Sequence, residues 1–398
     1  MMTRSMSLWR SALVLGTLSM VGPFAIDMYL PAMPDIARDL GVGETEIQTT
    51  VTAYFLAFGI AQMVYGPWAD QSGRKLPVMA GLCIFLIGSA GAALADTASS
   101  LTFWRFLQGL GGAVLMVVPR AVVRDLHTGA EATRLMALIM LVISVSPMLA
   151  PLAGSILMAF SEWRVIFVFL FVLALSGMGM CAFMLPETLP PAQRTPINVK
   201  TLMSGSLVLL RDSRFMGLTL IGAFSLASFF VFLASAAFVY TGQFGLSPMG
   251  FSLAFAINAV GFFSASQLAG PLAARMGLSP VIRLGTAIFA GSSLILLVIT
   301  LLTDVTLPVL VGFLFIGNAG LGLVVPTTMV MALEDHGDIA GLASSLGGTI
   351  QMVMGGLMIL AGGPFFDGTA LPMVVIIALC SVLAFGLAMS MHRDPVMV

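Results

Sequence analysis

The sequence predicts an all-α membrane protein of twelve transmembrane helices in two pseudo-symmetric six-helix bundles, and three observations predict it. Of its 398 residues, 59% are hydrophobic and only 9% charged, whereas soluble domains carry about 25% charged residues; so little charge cannot cover a water-facing surface. Apolar stretches of about 20 residues, enough to cross about 30 Å of hydrocarbon, recur twelve times. A short motif repeats at close to half the chain length.

The stretches lie near 11–33, 46–68, 77–96, 101–123, 135–159 and 164–186, then near 215–240, 249–273, 280–302, 306–330, 340–363 and 370–391. Arg4 and Arg10 before the first imitate a secretory signal peptide. That run continues through Asp27 without a small-residue cleavage site, so it reads as a retained helix. Between the two sets, PETLPPAQRTP reads as a Pro-rich terminator and linker. The expected organisation is a bundle over 1–186, a cytoplasmic linker over 187–213 and a second bundle over 214–398.

Orientation follows from the cations. With the N-terminus inside, 14 of the 17 Lys and Arg fall in cytoplasmic segments, Arg38, Arg105 and Arg164 being the exceptions. Both termini, the latter carrying Arg393, are therefore expected in the cytoplasm. Trp104 and Trp163 then fall at outer helix ends and Trp9 and Trp68 at inner ones, as interfacial anchors do. The net charge of −1 offers no basic face for nucleic acid. Cys83, Cys181 and Cys380 are far apart and apolar in context, and His127, His336 and His392 fall in loops or the tail. No metal, cofactor or histidine relay within the membrane is expected.

The repeat is direct. GPWADQSGRK (Gly66–Lys75) follows the second span and GPLAARMGLS (Gly270–Ser279) the eighth, 204 residues later (270 − 66). Two halves in parallel orientation are the arrangement of transporters with sites at the membrane midplane. The first copy resembles the loop 2–3 signature of the major facilitator superfamily, and twelve spans with the duplication extend the likeness over the whole chain. The resemblance implies a conformational latch of Gly66, Asp70, Gly73 and Arg74, with Asp125 as the partner of Arg74. In the second copy Ala274 replaces the acid. WRFLQGLGGA (Trp104–Ala113) is similar to the fourth-helix signature of proton-coupled members. SPMLAPLAGS (Ser146–Ser155) resembles the fifth-helix motif of drug antiporters through Pro147, Pro151 and Gly154, although Ala150 and Ser155 stand where glycine is usual. With IDMYLPAMPDI and PETLPP, the chain resembles the bicyclomycin and chloramphenicol resistance subfamily (Bcr/CflA). That implies a drug and proton antiporter of the bacterial inner membrane.

Two charges stand away from span ends, Asp27 and Arg105. A charge at a helix centre costs about 2.5–3.5 kcal/mol on insertion scales, so each needs a reason. Asp27 lies six residues before Met33, roughly 9 Å along a continuous helix at 1.5 Å per residue, which sets it below the interface. Arg105 enters from the same side, so the two are expected to share a cavity. A carboxyl whose surroundings alternate between Arg105, water and substrate can load and unload a proton. Two other readings stand open, an interfacial position in water and a permanent brace with Arg105.

Tyr29, Tyr54, Gln108, Phe229, Phe230, Asn258, Asn318 and Gln351 are the candidate substrate contacts, each also explicable by packing or an interhelical hydrogen bond. Gln108 shares a helical face with Arg105, whereas Phe229 and Phe230 also suit lipid. No nucleophile elbow, phosphate loop or metal cluster occurs, so a transporter rather than an enzyme is expected. The expected activity is proton-coupled export of small amphipathic drugs by rocker-switch alternating access, by a monomer with no cofactor. The alternative is proton-coupled export or symport of an endogenous metabolite.

Overall fold

Residues 6–194, 196, 199–336 and 339–391 are described by the structure, a computed structural model. Arg4, His392 and Arg393 lie outside the described residues. The chain divides into two compact units, Met1–Val199 and Lys200–Val398. Twelve helices are long and apolar enough to cross a membrane, and no strand occurs among the described residues.

The first unit contains α1 (Leu8–Asp27), α2 (Met33–Leu40), α3 (Glu44–Ser72), α4 (Lys75–Ala93), α5 (Ala98–Gly112), α6 (Val114–Leu126), α7 (Gly129–Phe160) and α8 (Arg164–Phe183). After α9 (Val199–Arg211), the second unit contains α10 (Ser213–Phe238), α11 (Pro248–Met276), α12 (Leu278–Leu302), α13 (Leu307–Glu334), α14 (Ala340–Gly362) and α15 (Ala370–Ser390).

The duplication read from the sequence is repeated in the packing. In the first unit α5 packs on α3 and α4, and α1 on α7; in the second, α13 packs on α11 and α12, and α10 on α14. The closest crossings use glycine in both. A Cβ on Gly111 would stand 2.4 Å from the carbonyl oxygen of Gly81, and one on Gly320 2.7 Å from that of Gly285. Only hydrogen fits between these backbones, and dispersion across such contacts is what helix association in lipid relies on.

Each unit also ties the end of one helix to the start of another through a histidine. His127, closing α6, shares a 3.1 Å hydrogen bond with Ser11 of α1 and lies 3.1 Å from Glu131. His336, just past α13, lies 3.1 Å from Asp212 and edge-on to Phe215 of α10. The two histidines are 209 residues apart (336 − 127), the offset of Gly111 and Gly320. Both lie outside helices, as the sequence predicts, and His127 is in addition buried.

Several expected boundaries move. The first span is interrupted after Asp27 by a 3₁₀ turn, Leu30–Ala32, and continues to Leu40. The rise of a continuous helix therefore does not measure the depth of Asp27. The fourth span runs Ala98–Leu126 and draws Arg120 well inside α6. GPWADQSGRK is helical through Ser72, so only Gly73 and Arg74 form the turn. The linker contains α9, whose apolar residues at helical spacing were hidden by Pro-rich flanks. Trp163 is 4% exposed rather than lipid-facing, and its indole donates to Asp39 at 2.9 Å.

Asp212 caps α10. One carboxylate oxygen accepts from the backbone N–H groups of Phe215 (3.0 Å) and Arg214 (2.8 Å), and these bonds, with His336, hold the carboxyl below its ordinary range. A depressed carboxyl pKa adds stability above the unfolded value, near 4, and loses it as pH falls through the folded value. Asp212→Ala is expected to lower unfolding stability by about 1 kcal/mol and to flatten its fall below pH ~4, as thermal scans across pH would record.

Candidate functional site

Asp27 is the last residue of α1 and only 4% exposed. Its carboxylate accepts no hydrogen bond and enters no ion pair within 4 Å among the described residues. Arg105 of α5 is fully buried. Its Nη1 donates to the Ala25 carbonyl at 2.9 Å and to Gln108 Oε1 at 2.5 Å. Its guanidinium carbon sits 4.7 Å from the Tyr29 ring centroid and 4.5 Å from that of Tyr54. Ring faces attract a desolvated cation by about 2 kcal/mol, so two tyrosines stand where a carboxylate was expected. The permanent brace between Asp27 and Arg105 is absent. Arg105 Nε and Nη2 are buried without an acceptor.

The surrounding residues hold this arrangement from three helices. Gln108 Nε2 donates to Ser89 Oγ at 2.8 Å. Tyr29 and Thr50 share a 2.8 Å hydroxyl contact, and Tyr54 donates to the Gly22 carbonyl at 3.4 Å. Gly154 of α7 presses onto the chain where α1 ends: a Cβ there would stand 2.4 Å from the Met28 carbonyl oxygen. The motif glycine thus sets the chain one residue from Asp27, while α7 runs unbroken through Pro147 and Pro151.

The second-unit candidates do not join one cluster. Asn318 Nδ2 reaches Asn258 Oδ1 at 3.5 Å, and Asn258 Nδ2 donates to the Ala254 carbonyl at 3.1 Å. These asparagines stand where the first unit has Tyr54 (258 − 54 = 204) and Gly109 (318 − 109 = 209). Phe230 is buried with its ring where a Gly355 Cβ would be, and Phe229 stacks on Phe262 at 5.9 Å. Phe230 therefore packs α10 on α14 rather than facing lipid. Gln351 has no hydrogen-bond partner among the described residues and lines a separate recess.

At the other end of α3, Arg74 gathers the acids the motif predicts. Its Nε donates to Asp125 at 2.8 Å and its Nη1 to Asp70 at 2.5 Å. Burial opposes the charge, but these hydrogen bonds outweigh it and hold the guanidinium above its ordinary value. Glu187 completes the group, accepting from the backbone N–H of Arg74 (2.8 Å) and of Lys75 (3.2 Å), while Thr188 donates to Asp125 at 3.0 Å. All these residues belong to the first unit. Gly66 lies inside α3, where a Cβ would make only an ordinary 3.9 Å contact.

Sequence reasoning gave Glu187 no role, although it lies in PETLPP, a segment that carries part of the family resemblance. It missed Arg120, whose Nε is buried without an acceptor, because Arg120 fell three residues from the expected inner end of its span and was counted with the cytoplasmic cations. It also left Arg164 as an exception to the charge bias. Arg164 lies 2.8 Å from Asp39, 3.5 Å from Asp96 and 3.8 Å from Glu162, so the local charge there is net negative.

Twelve spans in two repeated units, with charge buried in the first, define a multi-pass membrane carrier. The chain matches the Major Facilitator Superfamily over residues 15–359 and belongs to it; it is a transporter, not an enzyme. It is 33% identical to an uncharacterized MFS-type transporter, YdgK, of Bacillus subtilis (strain 168), over 94% of both chains. It is 29% identical to a bicyclomycin resistance protein homolog of Haemophilus influenzae, over 94% of this chain and 93% of that one. It is 31% identical to multidrug resistance protein D of Escherichia coli (strain K12), over 87% and 86%. Among solved structures, the peptide transporter POT matches with a TM-score of 0.77 at 14% identity, covering 96% of this chain and 93% of that one, a likeness of fold.

Proposed function

We propose that the protein exports small amphipathic drugs in exchange for protons by alternating access, across a bacterial inner membrane with both termini inside, as a monomer driven by the proton gradient without a cofactor. The observation that carries the reading is the isolation of Asp27, buried at a helix break with no hydrogen bond or ion pair among the described residues. An ionised carboxylate without a partner is costly to bury. In this reading the carboxyl gives up its proton only when a cation, water or substrate reaches it. The unmet donors of Arg105 are a partner available to it in an arrangement that brings the two together. A drug stabilising the anionic arrangement would release the proton, and a proton arriving from outside would expel the drug. Relatives bearing drug-resistance names support this choice of substrate.

The test is proton release from weakly buffered, detergent-solubilised protein when bicyclomycin or chloramphenicol is added. Stoichiometric release, lost in Asp27→Asn, is expected; saturable binding with no release would overturn proton exchange. The unpaired Arg120 within the fourth span favours a second reading, transport of an anionic metabolite. Release on adding anionic compounds but neither antibiotic would select it.

A further inference from the structure

The linker helix α9 carries an exposed apolar face that neither the buried charges nor the ion-pair cluster uses. One side of the helix is taken by protein: Leu209 is fully buried, and a Cβ on Gly205 would stand 2.7 Å from Cδ2 of Leu342, in the first turn of α14. Met203, Leu207 and Leu210 fall on a second side, within about 60° of one another at 3.6 residues per turn. All three are exposed, Met203 by 68%. Lys200 and Arg211 border that stripe along one edge, within about 40° of Leu207 by the same spacing. Val208, also exposed, lies beyond the two cations.

The place of the helix in the chain decides what covers the stripe. α9 ends at Arg211, and after Asp212 alone the span that contains α10 begins. The start of α14, on which Gly205 packs, is likewise the end of a span. Both anchors hold α9 at the membrane boundary, and an interfacial helix sinks its apolar face only about 5–10 Å into that boundary. Lying flat, the 13-residue helix offers a stripe about 20 Å long. Cations along the edge of such a stripe stand at headgroup level, where long stems stay in apolar surroundings while the charges meet phosphate.

We propose that α9 docks on the bilayer surface, with Met203, Leu207 and Leu210 inserted among acyl chains and Lys200 and Arg211 against the phosphates of anionic lipids. The cations supply the preference for anionic headgroups, and the stripe supplies the depth. The three sides of the helix then have three surroundings: α14 against Gly205, lipid against Leu207, and water against Val208. Because only Asp212 separates α9 from α10, the lipid contact also fixes the depth at which that span enters the membrane.

The experiment is spin labelling of the full-length protein at Leu207→Cys or Val208→Cys, in a Cys83→Ala, Cys181→Ala, Cys380→Ala background, in vesicles of phosphatidylethanolamine and phosphatidylglycerol. Both leaflets carry the anionic lipid, so the reading holds whichever way the chain inserts. Collisions with oxygen, which concentrates in hydrocarbon, and with a water-soluble nickel chelate report depth. The Leu207 label should favour oxygen and the Val208 label nickel. Arg211→Glu should lower the ratio of lipid-embedded to water-exposed Leu207 label about fivefold, and should change it little when phosphatidylcholine replaces phosphatidylglycerol. A Leu207 label open to nickel, or shielded from both reagents by the rest of the chain or by a second copy, would overturn the lipid contact. Unchanged depth in Arg211→Glu would overturn the contact with anionic headgroups. Neither drug nor proton enters these measurements, so they stand or fall apart from the export reading.

Discussion

Asp27→Asn is expected to leave the protein folded and inserted while proton-driven export falls to the background of membranes lacking it. The carboxyl makes no hydrogen bond or ion pair among the described residues, so the amide breaks no contact, and its near-equal volume keeps the end of α1 packed under Gly154. Removing a group that is costly to bury ionised should leave the melting temperature unchanged or slightly raised. What disappears is the ability to take up a proton on one side and lose it on the other. Drug movement down its own gradient should persist. Inverted vesicles with an imposed pH gradient separate the two: uphill accumulation lost and downhill equilibration kept is the expected pair. Undiminished uphill transport in the variant would remove Asp27 from the coupling step. Arg105→Lys is the companion change. An ammonium cannot reproduce the planar contact with the Tyr29 and Tyr54 rings together with the bonds to Gln108 and Ala25.

How much of this was legible depends on the kind of signal. Span number, duplication and the two buried charges came from hydropathy and spacing alone, because hydrocarbon leaves few places for a charge. The depth of Asp27 did not, since a rise per residue presumes an unbroken helix. Pro31 and Pro34 in YLPAMP were the available warning, because a residue before proline is biased away from the helical region. Arg74 and Asp70 were readable together because one motif carries both, whereas Asp125, from a separate segment after the fourth span, was supplied by the family resemblance. The role of Glu187 was not readable, because its contact is with the backbone N–H groups of Arg74 and Lys75, more than a hundred residues away. The helix α9 failed for a different reason, a short helix beside prolines offering too few turns of periodicity.

The two units share their backbone and differ in chemistry. Arg105 of the first corresponds by the 209-residue offset to Leu314 of the second, and the buried polar groups near it there are the amides Asn258 and Asn318. The glycine crossings, which set helix spacing, recur in both units, whereas the buried Asp27 and Arg105 of the first have no charged counterparts in the second. The unit that carries Asp27, Arg105 and the Arg74 cluster is the one to which the proposed proton coupling is assigned.

The same comparison predicts the largest single loss of stability. Gly73 and Gly277 end corresponding helices with nearly the same backbone, φ 93° and ψ 170° against φ 86° and ψ 162°. An L-residue in that region costs about 1–3 kcal/mol. At Gly277 little else opposes a methyl group, the nearest atom being Pro280 Cδ at 3.7 Å. At Gly73 a Cβ would stand 2.4 Å from a Glu187 carboxylate oxygen. Glu187 must then withdraw from the N–H groups of Arg74 and Lys75, each such bond to a charged acceptor being worth about 1.5–3 kcal/mol. Gly277→Ala should therefore cost about 1–3 kcal/mol, and Gly73→Ala roughly 3 kcal/mol more. Unfolding in detergent measures both, and Gly73→Ala combined with Glu187→Ala dissects the difference. With the carboxylate gone only the flexible end of Arg194, at 2.8 Å, still crowds the Cβ and can swing away, so adding Gly73→Ala to a Glu187→Ala background should cost about as much as Gly277→Ala does in the wild type. Equal effects of the two single changes would show that Glu187 does not clamp this turn.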